Sequence, residues 1–130
     1  MDTNGNTKEL IKDLCSRLPY GVKVESVFIN PDTKEHKSCG IEVFDATSIL
    51  MIRDGLGEFK PYLFPLSSMT EEQEKEFDQL IELELKAIND EIDHTQATAF
   101  EVDFYNKHHL DWRGLIPMGL AIDATDKNIY

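Results

Sequence analysis

The segment from Thr70 to Ile92 has the pattern of one long amphipathic helix, and it constrains the fold more than any other part of the sequence. Thr70 and Gln73 are spaced as a capping box, and glutamates crowd the first turn, where the helix dipole favours anions. The apolar side chains then recur at helical spacing on one side, at Phe77, Ile81, Leu85, Ile88 and Ile92. A helix with one apolar face needs a second layer to cover that face, which predicts a packed domain.

Before this helix, the sequence predicts a short helix and then a small antiparallel meander. An apolar stripe indicates a helix over residues 7–18, which Pro19 ends. Apolar runs bounded by turn residues predict three strands, at 22–29, 40–44 and 48–53. The segment 59–66 is interrupted by Pro61 and Pro65, so we expect at best an edge strand there.

After the long helix, Thr98 and Glu101 form a second capping box, which predicts a helix through about His109. Asp111 is placed to cap a further turn or two of helix, and Gly119 to end it. A short extended piece is expected to follow.

Together these elements predict one α+β domain over residues 1–130. The small antiparallel sheet would pack against the long acidic helix, and the shorter helices at both ends of the chain would complete the core. The polar ends, 1–6 and 124–130, are expected to be frayed.

The net charge of −12 is concentrated in the second half of the chain. Residues 1–65 carry 8 Lys and Arg against 10 Asp and Glu, whereas residues 66–130 carry 5 against 15. Such acidity argues against a general nucleic-acid or anionic-membrane surface. No apolar run approaches the roughly 20 residues of a membrane span, and the first residues lack a signal-peptide pattern. We therefore expect a cytoplasmic protein with neither nucleic acid nor membrane as a direct partner.

Two blocks of the sequence are long and idiosyncratic: PYLFPLSSMTEE at 61–72 and DFYNKHHLDWRGLI at 103–116, followed by GLA at 119–121. They resemble a family of short uncharacterised proteins from gut Bacteroidales genomes and from their phages and prophages. In that family the position of Phe64 is more often arginine, and that of Trp112 is often another aromatic residue. The resemblance implies a phage or mobile-element origin and a cytoplasmic setting, and it carries no activity.

Two glutamates of the long helix, Glu84 and Glu91, lie beside the apolar stripe rather than on the polar face. Seven residues separate them, which places their side chains roughly 10 Å apart along the helix. A carboxylate in an apolar setting needs a partner or takes a raised pKa. One hypothesis is a polar site in which a glutamate meets His108, His109 or Arg113. The alternative is a structural ion pair, or a side chain that leans out to water.

The segment from His108 to Asp111 contains residue types that bind metals. Adjacent histidines on a helix point about 100° apart, however, so both cannot reach one ion without distortion. Cys15 and Cys39 also lack the spacing of a metal site. The sequence therefore predicts no bound metal or cofactor and assigns Asp111 to capping. A small metal-binding protein or enzyme is the alternative, built from Glu84, Glu91, His108, His109 and Asp111.

Motifs for catalysis or nucleotide binding are absent from the sequence. It contains neither the nucleophile elbow G-x-S-x-G nor the phosphate-binding loop G-x-x-x-x-G-K-[ST]. We therefore assign no catalytic residues and favour a non-enzymatic function.

Two features favour a protein-interaction module that binds an unidentified protein of basic character. Tyr105, Trp112 and Arg113 belong to residue types that are enriched in binding hot spots, although the single tryptophan could instead anchor the core. The acidic helix offers Asp78 and Glu82 to a basic partner. The helix carries one net negative charge per roughly 4.5 Å of its length, whereas duplex DNA carries one per ≈ 1.7 Å. This lower charge density argues against a DNA mimic. Self-association into a homo-oligomer is a third hypothesis.

Overall fold

The computed structural model describes residues 4–89 and 94–130, with side chains described for 7–83 and 101–130. Its helices and strands, in chain order, are α1 (Asn4–Ser16), β1 (Lys23–Ile29), β2 (His36–Val43), α2 (Ala46–Arg53), β3 (Gly57–Leu63), α3 (Glu71–Asn89), α4 (His94–Lys107) and β4 (Ile122–Asp123). Short 3₁₀ turns follow α1 and precede α3, at Leu18–Tyr20 and Leu66–Ser68. The combination of a sheet with separate helices confirms the α+β class.

The strands form one mixed sheet in the order β2-β1-β3-β4. β1 runs antiparallel to both β2 and β3 and lies between them. A meander would instead place the second strand between its two neighbours in the chain, so the prediction of a meander is wrong in its strand order. β4 is parallel to β3 and pairs with only two of its residues, Tyr62 and Leu63. The prediction of a purely antiparallel sheet is therefore wrong at this edge, because a two-residue strand has too few residues to show an alternating pattern.

The main core lies between the sheet and helices α1 and α2. Leu14 of α1 packs with Val24 of β1 and Phe59 of β3, and Ile49 of α2 packs against this cluster. The sequence predicts α3 as the helix that covers the sheet, but no described residue of α3 belongs to this core. α3 instead packs against α4.

The segment predicted as a strand at 48–53 is helical and forms most of α2. The reason is a capping box at Asp45, whose carboxylate accepts a hydrogen bond from the backbone N–H of Ser48 at 3.1 Å. The Ser48 hydroxyl in turn accepts from the backbone N–H of Asp45 at 3.2 Å. The apolar run at 49–52 is short enough to form either a strand or a helix. The capping side chains of Asp45 and Ser48 therefore favour the helix.

β3 is an inner strand over its last residues, contrary to the prediction of at best an edge strand. The backbone N–H of Ile29 donates to the carbonyl of Leu56 at 2.9 Å, and antiparallel bonds recur at every second residue. The N–H and C=O groups of Glu58 and Lys60 therefore point toward β1, whereas Pro61 faces the opposite side. The N–H that proline lacks is thus not needed for pairing with β1.

α3 begins as the sequence predicts. The Thr70 hydroxyl accepts from the N–H of Gln73 at 3.1 Å, and the Gln73 side chain accepts from the N–H of Thr70 at 3.0 Å. The prediction that helical structure continues to Ile92 runs beyond Asn89 into residues 90–93, which lie outside the described residues. α4 begins at His94, four residues before the predicted start at Thr98. Among the described residues, no helix is both long and apolar enough to cross a membrane.

The chain from Asp111 to Gly119 forms turns instead of the predicted further helix. The carboxylate of Asp111 does accept hydrogen bonds from two backbone N–H groups, those of Leu115 at 2.7 Å and Ile116 at 2.9 Å. Gly114 and Gly119 have φ angles of 74° and 76°, which are left-handed and end any helical run.

Parts of the two ends that the sequence predicts to be frayed take part in elements and contacts of the structure. Residues 4–6 form the start of α1, and residues 1–3 lie outside the described part of the chain. At the other end, Ala124 is 1% exposed, and the Tyr130 hydroxyl donates to the carbonyl of Tyr62 at 2.8 Å. The segment 124–130 is polar in composition, but these two contacts attach it to the sheet.

We predict that Asp45→Ala destabilises the protein by about 1 kcal/mol, because the first turn of α2 loses its cap. Urea unfolding measures the change. Asp32→Ala removes an exposed carboxylate from the β1–β2 turn and serves as the matched control, with an expected change below about 0.5 kcal/mol. Equal effects of the two substitutions would contradict the capping role.

Candidate functional site

Asp13 and Arg17 form a fully buried ion pair on the inner side of α1, with both side chains 0% exposed. Arg17 Nε lies 2.8 Å from one carboxylate oxygen of Asp13, and Nη2 lies 3.1 Å from the other. Nη2 also donates to the backbone carbonyl of Leu110 at 2.7 Å. One guanidinium therefore ties α1 to the chain that leaves α4.

The two charges of this pair depend on each other. Burial raises the pKa of Asp13, because the carboxylate has lost its water. The hydrogen bond and charge of Arg17 act in the opposite direction, as does the nearby charge of Arg113. Removing either partner would leave the other charge buried without compensation.

Arg113 extends this cluster toward the surface. Its Nη1 lies 3.3 Å from a carboxylate oxygen of Glu9, and its Nε lies 3.5 Å from Asp13. The Arg113 side chain is only 21% exposed. Its charge is therefore directed mainly at two acidic residues of α1.

Tyr105, Trp112 and Arg113, which the sequence predicts as partner-binding residues, do come together. The Arg113 guanidinium lies 4.3 Å from the centre of the Trp112 ring, and the indole stacks on Tyr105 with 6.2 Å between centroids. The indole N–H donates to the side-chain oxygen of Asn106 at 3.1 Å. These contacts join residues within the chain, as expected of a structural anchor.

The two adjacent histidines have different partners. His108 Nε2 lies 2.9 Å from the carboxylate of Glu76 on α3, which also binds Lys107. The His109 ring stacks on Tyr130, with 3.7 Å between centroids and 10° between planes. The hydrogen bonds from Lys107 and His108 lower the pKa of Glu76.

Three of the five residues predicted to form a polar site have described side chains, and these three have separate partners. The Asp111 carboxylate is engaged by backbone N–H groups, and the two histidines diverge. Glu84 lies on α3 with its side chain outside the described set, and Glu91 lies outside the described residues altogether. No group of three or more His, Cys, Asp or Glu within that set could hold a metal ion.

His109 is held in its neutral form. Burial lowers its pKa to about 4, and the positive charge of Arg17 contributes to the same shift. Its Nδ1 atom is buried and has no hydrogen-bond partner among the described residues.

Tyr130, which stacks on His109, keeps 42% of its surface exposed, and its hydroxyl accepts a hydrogen bond from the N–H of Lys23 at 2.8 Å. Burial raises the pKa of Tyr130 to about 12.

The outer face of α3 is an exposed and mostly acidic surface. We use this name for the exposed side that carries Glu71, Glu74, Lys75, Asp78 and Glu82. No described cation lies within 4 Å of the carboxylates of Asp78 or Glu82, in contrast to the paired Glu76. Leu83, 53% exposed, lies at the edge of this face.

The ion pair of Asp13 and Arg17 is not among the features predicted from the sequence. A signal was present, because these residues follow Leu10 by three and seven positions and therefore share its side of the helix. Nor are the contacts of Glu76 and Tyr130, which depend on residues more than thirty positions away and have no local pattern.

No protein-family model matches the chain, and neither a curated protein nor a solved structure shows significant similarity to it.

We predict that Asp13→Ala lowers the free energy of unfolding by about 3–5 kcal/mol, because it leaves Arg17 buried without a counter-charge. The double variant Asp13→Leu/Arg17→Met removes both buried charges but also the hydrogen bond from Arg17 to the carbonyl of Leu110, so it should recover only part of this loss. In the wild type, that carbonyl also accepts from the N–H of Trp112 at 3.0 Å, a bond that involves neither of the substituted side chains. Urea unfolding of the three proteins tests the expectation, and a double variant no more stable than Asp13→Ala would contradict it.

The low pKa of His109 also makes stability depend on pH. Folding lowers this pKa from 6.5 to about 4, so the folded state resists a proton that the unfolded chain accepts. The contribution is complete above pH 6.5 and is lost as the pH falls to about 4. Asp13, whose pKa is raised, contributes in the opposite direction, so a matched variant is needed to isolate His109.

His109→Asn provides that variant, because asparagine tolerates the left-handed φ of 57° at this position. We expect the wild type to lose more unfolding free energy than the variant between pH 7 and pH 4.5. Parallel pH dependence in the two proteins would contradict the assignment.

Proposed function

We propose that this protein is a non-enzymatic protein-interaction module that binds a basic protein segment through the outer face of α3. The observation that carries the proposal is the exposure of Asp78 and Glu82 without a described cation within 4 Å. Glu76 on the same helix is, by contrast, paired with Lys107 and His108.

The geometry of the outer face supports this choice. Glu71, Asp78 and Glu82 project within about 40° of one another at 100° per residue, and they span roughly 16 Å of helix. Lys75 lies among them and reduces the net charge but leaves it negative. Leu83 adds exposed apolar area beside the charges, and an apolar contact beside charged groups is typical of a protein interface.

The second predicted surface, which carries Tyr105, Trp112 and Arg113, has weaker support. The Trp112 indole N–H is hydrogen-bonded to Asn106. The Arg113 guanidinium is paired with Glu9 and Asp13. A partner that bound there would have to compete with these internal contacts. We therefore place the docking surface on α3 and treat the stack as its structural support.

A phage or mobile-element origin and a cytoplasmic location are also part of the proposal. Their support is the resemblance of segments 61–72 and 103–116 to the Bacteroidales family.

We predict that reversing two charges on the outer face weakens binding of a basic probe. The probe is a fluorescein-labelled, end-capped helical peptide with four arginines on one side and leucines beside them, measured by anisotropy. Asp78→Lys/Glu82→Lys should raise Kd at least tenfold at 50 mM KCl. The difference should shrink at 300 mM KCl, because salt screens exposed charges.

The control is Asp32→Lys/Glu35→Lys, which changes the net charge by the same amount at two exposed residues near the β1–β2 turn. It should change Kd less than twofold. Equal weakening by both pairs would show that binding follows net charge alone and would overturn the proposed surface.

A further inference from the structure

The edge of β3 that faces away from β1 is only partly covered by a strand. β4 pairs with Tyr62 and Leu63 alone. Over Gly57–Lys60, no described strand lies on this side of β3. Within the described residues, the sheet therefore has an open stretch of edge at 57–60, next to the part of β3 that pairs with β4.

The hydrogen-bonding direction of each β3 residue follows from bonds at its two ends. The hydrogen bond from Ile29 to Leu56 means that the backbone N–H and C=O groups of Glu58 and Lys60 point toward β1. The backbone groups of Gly57 and Phe59 therefore point away from β1. At the other end, the N–H of Ala124 donates to the carbonyl of Leu63 at 2.8 Å, which agrees with this alternation. The N–H and C=O of Phe59 therefore point to the open edge.

A cavity of about 350 Å³ lies along this stretch. Its lining includes Phe59, whose side chain is buried on the core side, and also Glu58 and Lys60, which are exposed on the opposite side. Because successive side chains of a strand point to opposite faces, a cavity lined by all three must lie at the edge of the strand. The edge paired with β1 is closed, so the cavity is at the open one.

The wall opposite β3 is apolar. It is formed by Leu10 and Ile11 of α1, with Ile52 of α2 and Leu120 before β4, and Thr7 lies at its rim. No described residue of α3 lines this cavity, so it is separate from the outer face of α3. We call it the β3 groove.

We propose that the β3 groove binds an extended peptide segment, which adds to the sheet as a strand parallel to β3 in line with β4. Its central residue, beside Phe59, is apolar and points toward Leu10 and Ile11. A basic residue precedes it beside Glu58, and an acidic residue follows it beside Lys60. The segment supplies hydrogen-bond partners to the outward N–H and C=O of Phe59, for which no described residue provides one.

The shape and chemistry of the groove favour a strand over other occupants. β4 shows that this edge accepts a parallel strand, and the groove continues the same line. Phe59 is 3% exposed, so its outward backbone groups gain from a partner. Glu58 is negative and Lys60 is positive. A parallel segment therefore complements them when a basic residue lies beside Glu58 and an acidic residue lies beside Lys60.

The test uses a fluorescein-labelled, end-capped heptapeptide of threonines with a lysine, valine and glutamate at its centre. Wild-type protein should bind it saturably with a Kd below about 1 mM. Thr7→Trp, which places a large side chain at the rim of the groove, should weaken binding at least tenfold. Lys8→Trp, the neighbouring exposed residue that does not line the groove, should change Kd less than twofold.

Two methylated peptides test the strand geometry itself. In a parallel alignment, the glutamate N–H donates to the carbonyl of Phe59, whereas the valine N–H points away from β3. Methylation of the glutamate nitrogen should therefore weaken binding at least tenfold, and methylation of the valine nitrogen less than twofold. Equal effects, or the reverse order, would overturn the parallel strand.

Three further results would overturn the proposal. One is the absence of saturable binding to the wild type, and another is equal binding by Thr7→Trp and the wild type. The third is a dimer of the wild type in sedimentation that Thr7→Trp abolishes, because a second copy of the chain would then fill the groove. None of these results depends on the charge-reversal variants of α3, so this proposal and the proposed function can fail separately.

Discussion

The buried guanidinium of Arg17 is the contact on which the arrangement of this protein depends. It neutralises Asp13 within α1 and holds the carbonyl of Leu110. The chain around Leu110 is also hydrogen-bonded to Phe64, directly after β3. The N–H of Phe64 donates to the carbonyl of His109, and the N–H of Asp111 donates to the carbonyl of Phe64, both at 2.8 Å. One side chain thus connects α1 to the junction between the sheet and the packed helices α3 and α4.

Several of the polar and aromatic residues that the sequence suggests as a site lie at this junction. The stack of Arg113, Trp112 and Tyr105 lies beside it, and His109 is enclosed by Tyr130 on its other side. Residues that look like a site in the sequence are therefore used to join parts of the chain. The groups left without described partners lie elsewhere, on the outer face of α3 and at the open edge of β3.

The sequence predicts well those elements whose signals are local. The capping box of Thr70 with Gln73 marks the start of α3, and Pro19 follows the end of α1. The segment 48–53 is predicted wrongly because four apolar residues in a row suit a strand or a helix, and the cap at Asp45 decides between them. The buried pair and the contact of Tyr130 depend on tertiary neighbours, so residue type alone could not place them.

We propose the outer face of α3 as the docking surface and the aromatic stack as a support of the fold. A two-dimensional ¹H–¹⁵N spectrum, recorded during titration with the arginine-rich helical peptide, separates these two roles. We expect the amide signals of residues 71–83 to shift first and furthest, while those of 104–118 stay nearly unchanged. Shifts centred on 104–118, or small shifts spread evenly over the chain, would contradict this proposal.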